Sequence, residues 1–260
     1  MRRKSVLITS VSAALLAGAL QGRAGAPAPP IPVLVELFTS EGCSSCPAAD
    51  GLLESFVATQ SIDGAEVIGL GHHVDYWDQL GWRDRFSSGA ATNRQRRYGQ
   101  VFNVDAIYTP QMVVDGREEF VGSDARRARR AIGDALTVPH ALVTLAIDPV
   151  AGDRVAAAVR VADLPKLSRG DRADVIVAVT ESQLRSDVRG GENRGRLLSH
   201  APVVRQLTIV GEAAAAVVRT DIGLVPGWQR DHLTIIAFVQ ERFSRRVLGA
   251  VALPLESARR

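Results

Sequence analysis

Cys43 and Cys46 are separated by Ser44 and Ser45, and no other cysteine occurs among the 260 residues. A thiol pair at this spacing can exchange with an outside disulfide and then close on itself. The reactive form is the thiolate: a thiol of pKa about 8.5 is only ~3% ionised at pH 7, whereas one lowered to about 6.5 is roughly three-quarters ionised. In this reading Cys43 is the exposed nucleophile and Cys46 the resolving thiol that forms a disulfide with it. Two other chemistries fit the same pair. One is thiolate ligation of zinc or copper. The other is an inert staple, which across so short a loop contributes only about 2 kcal/mol.

The flanking elements favour reactivity. Pro32 to Phe38 is a run rich in Val and Leu, as expected of a strand buried on both faces, and Thr39 to Gly42 supply a turn. Pro47 suits a first helical turn, where its missing N–H is not needed, and Leu52, Leu53, Phe56 and Val57 follow at helical spacing. Cys43 is thereby placed at or just before a helix N-terminus, where unpaired N–H groups and the helix dipole stabilise an anion.

Residues 1–26 have the pattern of a signal peptide: Arg2, Arg3 and Lys4, an apolar stretch from Ser5 to Leu20, then the small residues Ala24-Gly25-Ala26. Its removal takes away four of the 31 Lys and Arg and none of the 28 Asp and Glu, so the formal charge falls from +3 to −1. That balance argues against nucleic acid as a partner, and the arginine clusters at 94–97 and 126–130 read as solvated helix faces. The expected location is periplasmic or secreted, an oxidising setting, with no membrane span left after cleavage.

From Ile31 to Val138 strands and helices alternate. Ala65–Val74 is a second apolar strand and Ser87–Tyr98 a polar helix. Gln111–Val114 and Glu118–Val121 flank Asp115-Gly116, a pair that tolerates positive φ and so marks a hairpin. Ser123 or Asp124 can cap a last helix ending at Leu136, with Ala128, Ala131, Ile132 and Ala135 on one stripe. The order β-α-β-α-β-β-α implies a mixed sheet flanked by helices. Strand, CxxC at a helix start, then Thr109-Pro110 ahead of a hairpin and closing helix resembles the thioredoxin fold. That resemblance implies a cis bond before Pro110, with Thr109 and Pro110 binding the extended backbone of a client. It also implies a buried acid on the first strand that passes protons to the resolving thiol. Glu36 is the nearest match, displaced by one residue, which would turn it to the opposite face. Gly42 replaces the usual Trp, and Ser44-Ser45 lack the usual Pro or His.

His72 to Phe86 forms an insertion that begins at the C-terminal end of a strand, where open α/β sheets place their sites. His73, Asp75 and Trp77, together with Glu36, are auxiliary candidates there. With the cysteines, His72 or His73 can also complete a zinc or copper set, although adjacent histidines on a strand point to opposite faces. A lid packed on the domain is the alternative.

Beyond Pro139 short β-like runs take over: Ala141–Ile147, Arg154–Val161, Ala173–Thr180, Val203–Val210, Ala213–Arg219, Leu233–Gln240 and Val247–Leu253. They suggest a sandwich of about seven strands. The polar loop Arg189–His200 reads either as a contact to the cysteine half or a client, or as a solvated hairpin tip. The motifs VELFTSEGCSSCP, HHVDYWDQLGW, YTPQMVVDG and GENRGRLLSHAPVVRQ, in this order, make the chain similar to a bacterial family of secreted thioredoxin-like proteins, catalogued as domain of unknown function 1223. The resemblance covers the mature chain and implies the fold and export without assigning an activity.

The sequence thus predicts a signal peptide over 1–26, an α/β thioredoxin-like domain over 27–138 and an all-β, sandwich-like region over 139–260. The leading function is an exported thiol-disulfide oxidoreductase whose Cys43–Cys46 disulfide serves in place of a cofactor, with no metal required. Its partners would be client proteins bearing thiols or disulfides and a redox partner. The alternatives are zinc or copper delivery and a non-enzymatic binding module.

Overall fold

In the computed structural model, which describes residues 29–149, 151–214 and 217–255, strand β1 (Ile31–Thr39) is buried without a break from Val33 onward. The signal segment expected at 1–26 lies outside the described residues. β1 pairs in parallel with β2 (Ala65–His73) and antiparallel with β3 (Gln111–Val114), which turns back into β4 (Glu118–Val121). The Asp115-Gly116 turn has the positive φ expected, 46° and 60°. Helices α1 (Cys46–Thr59) and α3 (Ala125–Ala135) cover one face. Ala49, Leu53, Phe56, Ala128 and Ile132 pack there on Val33, Val35 and Leu37. Asp124 caps α3 by accepting from the Arg127 N–H. Helix α2 (Gly89–Phe102) lies on the other face, where its Tyr98 packs on Phe38 and Val113.

The remaining strands are β5 (Leu142–Ile147), β6 (Arg154–Ala162), β7 (Ala173–Glu181), β8 (Arg185–Asp187), β9 (Leu197–Ser199), β10 (Val203–Glu212), β11 (Val218–Gly223), β12 (Leu233–Glu241) and β13 (Val247–Pro254). The boundary expected near Val138 does not interrupt the sheet. Four of these strands continue it beyond β2, giving one eight-stranded sheet of order β13-β12-β7-β10-β2-β1-β3-β4. The join is narrow: Val203 pairs with Gly71, and the Gly71 N–H donates to the Pro202 carbonyl at 2.7 Å. A Cβ on Gly71 would lie 3.0 Å from that oxygen, so the close approach suits glycine.

A three-stranded sheet, β11-β6-β5, packs over the outer part of the large one. Val143, Val155, Val159 and Ile222 meet Val175, Val177, Ile235 and Val239 in an all-aliphatic core. The strand expected at Ala213–Arg219 instead starts at Val218 and runs to Gly223. Alanine has little strand preference, whereas Val218, Thr220 and Ile222 alternate as β-branched residues. β8 and β9, too short to register as periodic runs, pair into a two-stranded ribbon whose tip is the polar loop.

Candidate functional site

Cys43 and Cys46 form a disulfide at the junction between β1 and α1. Ser44 and Ser45 are exposed, but each cysteine is only 1% exposed, which corrects the expectation that Cys43 is an exposed nucleophile. The tip of the β8–β9 ribbon is docked on the turn that carries the cysteines. Asn193 is fully buried, and its side-chain amide donates to the carbonyls of Glu41 (2.9 Å) and Cys43 (2.8 Å). One residue earlier, Glu192 accepts from the Ser44 N–H at 2.9 Å. Of the two readings of this loop, contact with the cysteine half is the one realised.

Removing the Asn193 amide would leave the Glu41 carbonyl without its donor and the Cys43 carbonyl with only the Cys46 N–H at 3.2 Å, a cost of about 1–3 kcal/mol. Asn193→Ala is therefore expected to raise the population of the uncovered state, and with it the rate of disulfide reduction by dithiothreitol, by roughly tenfold. Stopped-flow thiol release would measure it; an unchanged rate would mean the loop does not gate access.

Trp77 ties a second element to the cysteine turn. Its indole N–H donates to Thr109 Oγ1 at 2.8 Å, while its Cβ is the nearest atom to the space a Cβ on Gly42 would take, at 3.4 Å. The Thr109–Pro110 bond is cis, and Pro110 is buried. Trp77 thus links Thr109 to the Gly42 turn that precedes Cys43.

Behind the turn lies a buried group of acids and imidazoles. His73 Nδ1 is 2.6 Å from Asp84 Oδ2, which also accepts from the Glu41 N–H at 2.9 Å. Glu41 Oε2 accepts from the Trp82 indole at 2.6 Å. Asp50, one helical turn beyond Cys46, accepts from the Thr39 hydroxyl at 2.5 Å. His200, next to β9, stands edge-on to His73 with ring centroids 5.1 Å apart. Burial alone would lower the His73 imidazole, but the Asp84 carboxylate and its hydrogen bond, with Asp50 and Glu41 nearby, raise it above its usual value. Burial would raise Asp84, and the His73 charge and hydrogen bonds hold it below the ordinary carboxylate range. For Asp50 burial prevails over His73 and Thr39, and its pKa is raised.

Of the auxiliary residues inferred from sequence, His73 and Trp77 are at the site and Glu36 and Asp75 are not. Strand alternation puts Glu36 with Leu34 and Phe38, on the face away from α1, where His72 (2.8 Å) and Arg94 (2.5 Å) contact its Oε2. Asp75 instead accepts from Thr92 of α2 at 2.5 Å. His72, stacked on Phe38, is on the same far face, so the adjacent histidines do not converge on the cysteines. Sequence reasoning missed Glu41, Asp50, Asp84, Asn193 and His200. Asp50 was detectable in principle, being four residues after Cys46 on one helix face. Asn193, 150 residues from Cys43, left no local signal.

A family model described as a protein of unknown function, DUF1223, matches residues 34–240. Among solved structures, a crystal structure of an Agrobacterium tumefaciens protein is similar at 27% identity, covering 86% of this chain and 94% of that one, with a TM-score of 0.63. HBP35 of Porphyromonas gingivalis is similar at 16% identity over 88% of this chain and 77% of that one, with a TM-score of 0.57, a likeness of fold alone. No curated protein matches. Among the described residues, no helix is long and apolar enough to cross a membrane.

Proposed function

The chain belongs to the DUF1223 family, whose description assigns no activity, and we propose that it is an exported thiol-disulfide oxidoreductase built on a thioredoxin-like unit. The observation that carries this reading is the Cys43–Cys46 disulfide at a strand-to-helix junction, with Thr109-Pro110 linked to its turn through Trp77. The sheet order β2-β1-β3-β4, with α1 and α3 on one face and α2 on the other, supports the thioredoxin-like part. The basic and apolar pattern of residues 1–26 supports export.

In the reducing direction, the Cys43 thiolate attacks one sulfur of a client disulfide. The S–S bond of the client breaks, a Cys43–client bond forms, and the first client sulfur leaves as a thiolate. The Cys46 thiolate then attacks Cys43 Sγ, closing the pair and expelling the second client thiolate. The client gains two electrons and the Cys43–Cys46 pair loses two. The same steps reversed oxidise a client dithiol, with a second thiol-disulfide protein resetting the pair. Thr109 and Pro110 would hold the client's extended backbone beside Cys43. The buried state of the pair requires the Asn193 loop to swing away first, so clients gain entry only to the open form.

Cys46→Ser removes the resolving sulfur and should leave clients covalently attached through Cys43. Non-reducing gels of cells expressing this variant are expected to show adducts that thiol reductant releases and that Cys43→Ser/Cys46→Ser lacks. A trapping control enzyme that yields adducts while Cys46→Ser yields none would reject the reading.

A further inference from the structure

We propose that Asp50, His73 and His200 form a binding site for one divalent transition-metal ion, with zinc as the cation best suited to it. The three side chains come from α1, the end of β2 and the residue after β9, and each offers a ligand atom within 4.8 Å of the other two. The centre of such a triangle is at most about 2.8 Å from every corner, against bond lengths of ~2.0–2.2 Å for zinc with imidazole or carboxylate. Shifts of well under an ångström in each side chain close the site.

Independent of that spacing, His73 Nε2 is buried with no hydrogen-bond partner in the structure. Its other nitrogen is engaged by Asp84 at 2.6 Å, the carboxylate–imidazole arrangement that orients metal-binding histidines and makes their free nitrogen more basic. An orphaned polar atom in the interior is costly, and coordination is one way to satisfy it. The surroundings favour positive charge. Glu41 Oε1 is also buried without a hydrogen bond; it lies at ion-pair distance, 3.5 Å, from His200 Nε2, whose hydrogen bond is to Ser186 Oγ at 3.1 Å. Three buried carboxylates, Glu41, Asp50 and Asp84, therefore crowd two imidazoles.

Two nitrogens and one carboxylate select against magnesium and calcium, which take oxygen sets, and suit zinc with one position left for water. No cysteine is needed, so binding should occur with the disulfide intact and is separable from the thiol chemistry. The ion would join the ribbon that covers the disulfide to the helix that carries Cys46.

The test is calorimetric titration of oxidised, chelator-stripped full-length mature protein with Zn2+, and optical titration with Co2+ as a reporter. One equivalent is expected to bind, with cobalt d–d bands and no thiolate-to-metal charge transfer. Asp50→Asn and His200→Gln, checked for folding by circular dichroism, should each weaken zinc by more than the ~10–100-fold that loss of a supporting group costs. Cys43→Ser/Cys46→Ser should bind as tightly as wild type. Failure of the oxidised wild type to bind, affinity unchanged in either folded ligand variant, or a thiolate charge-transfer band would each overturn the proposal.

Discussion

Replacing Glu36 with alanine is expected to cost about 3–5 kcal/mol of folding stability, because it leaves a buried guanidinium without its counter-ion. Glu36 Oε1 accepts from Arg94 Nη2 at 2.8 Å and from the Tyr98 hydroxyl, while Oε2 takes Arg94 Nε and His72 Nε2. Burial alone would push this carboxyl up, but the Arg94 guanidinium and the hydrogen bonds from His72 and Arg94 hold it well below the usual range. His72 itself is lowered, chiefly by burial, so its Nε2–H serves as a neutral donor to the carboxylate. Without Glu36, Arg94 keeps only Gln240 Oε1 at 3.1 Å and a long contact of 3.4 Å to Tyr98. Removing both charges in Glu36→Leu/Arg94→Met should cost less than the single alanine, since an apolar pair needs no counter-ion. Urea unfolding of the oxidised proteins would decide it. A loss below ~1 kcal/mol for Glu36→Ala would mean that water reaches Arg94 once the carboxylate is gone.

The second large effect is on pH dependence. Asp115 sits in the β3–β4 turn with Oδ1 accepting from the Leu34 N–H at 2.8 Å and Oδ2 buried without a partner. Burial raises its pKa from 3.8 to about 7, against the pull of the Leu34 N–H and Arg117. The folded state thus holds a proton at pH 5 to 6 that the unfolded chain has released. This contribution to stability is complete below about pH 4 and is lost as the pH rises to about 7, on the order of 4 kcal/mol in total. Asp115→Asn keeps the acceptor for Leu34 and carries no titrating group. Wild type should therefore lose stability relative to Asp115→Asn between pH 4 and 8, as urea midpoints at several pH values would show. Parallel curves for the two proteins would reject this account.

Features set by neighbours in the chain were legible beforehand. The β1 run, the CxxC at a helix start and the Asp115-Gly116 turn each depend on a few adjacent residues, and each stands within a residue or two of its expected place. Features made by distant segments were not. Nothing near Cys43 announces Asn193, and nothing near Glu36 announces Arg94, 58 positions later, or the Gln240 that braces it. The side of the sheet that Glu36 faces was legible from its one-residue displacement relative to the acid of the thioredoxin pattern, but the partners it meets there were not. The polar loop at 189–200 could be marked as unusual, yet only the short β8–β9 ribbon, three residues a side, determines where its tip lands.

The narrow seam between β2 and β10 bears on how such a protein can evolve. A small α/β unit can be a portable module, gained or shed by gene fusion and fission. Here the second half supplies Val203 to the edge of β2 and Ala201 to the core beneath α1. A lineage that lost everything after Val138 would leave the Gly71 position of β2 unpaired along with a hole beneath α1. The two halves are thus bound to be inherited together, and the stretch from Ala201 to Val203 is where that dependence is written.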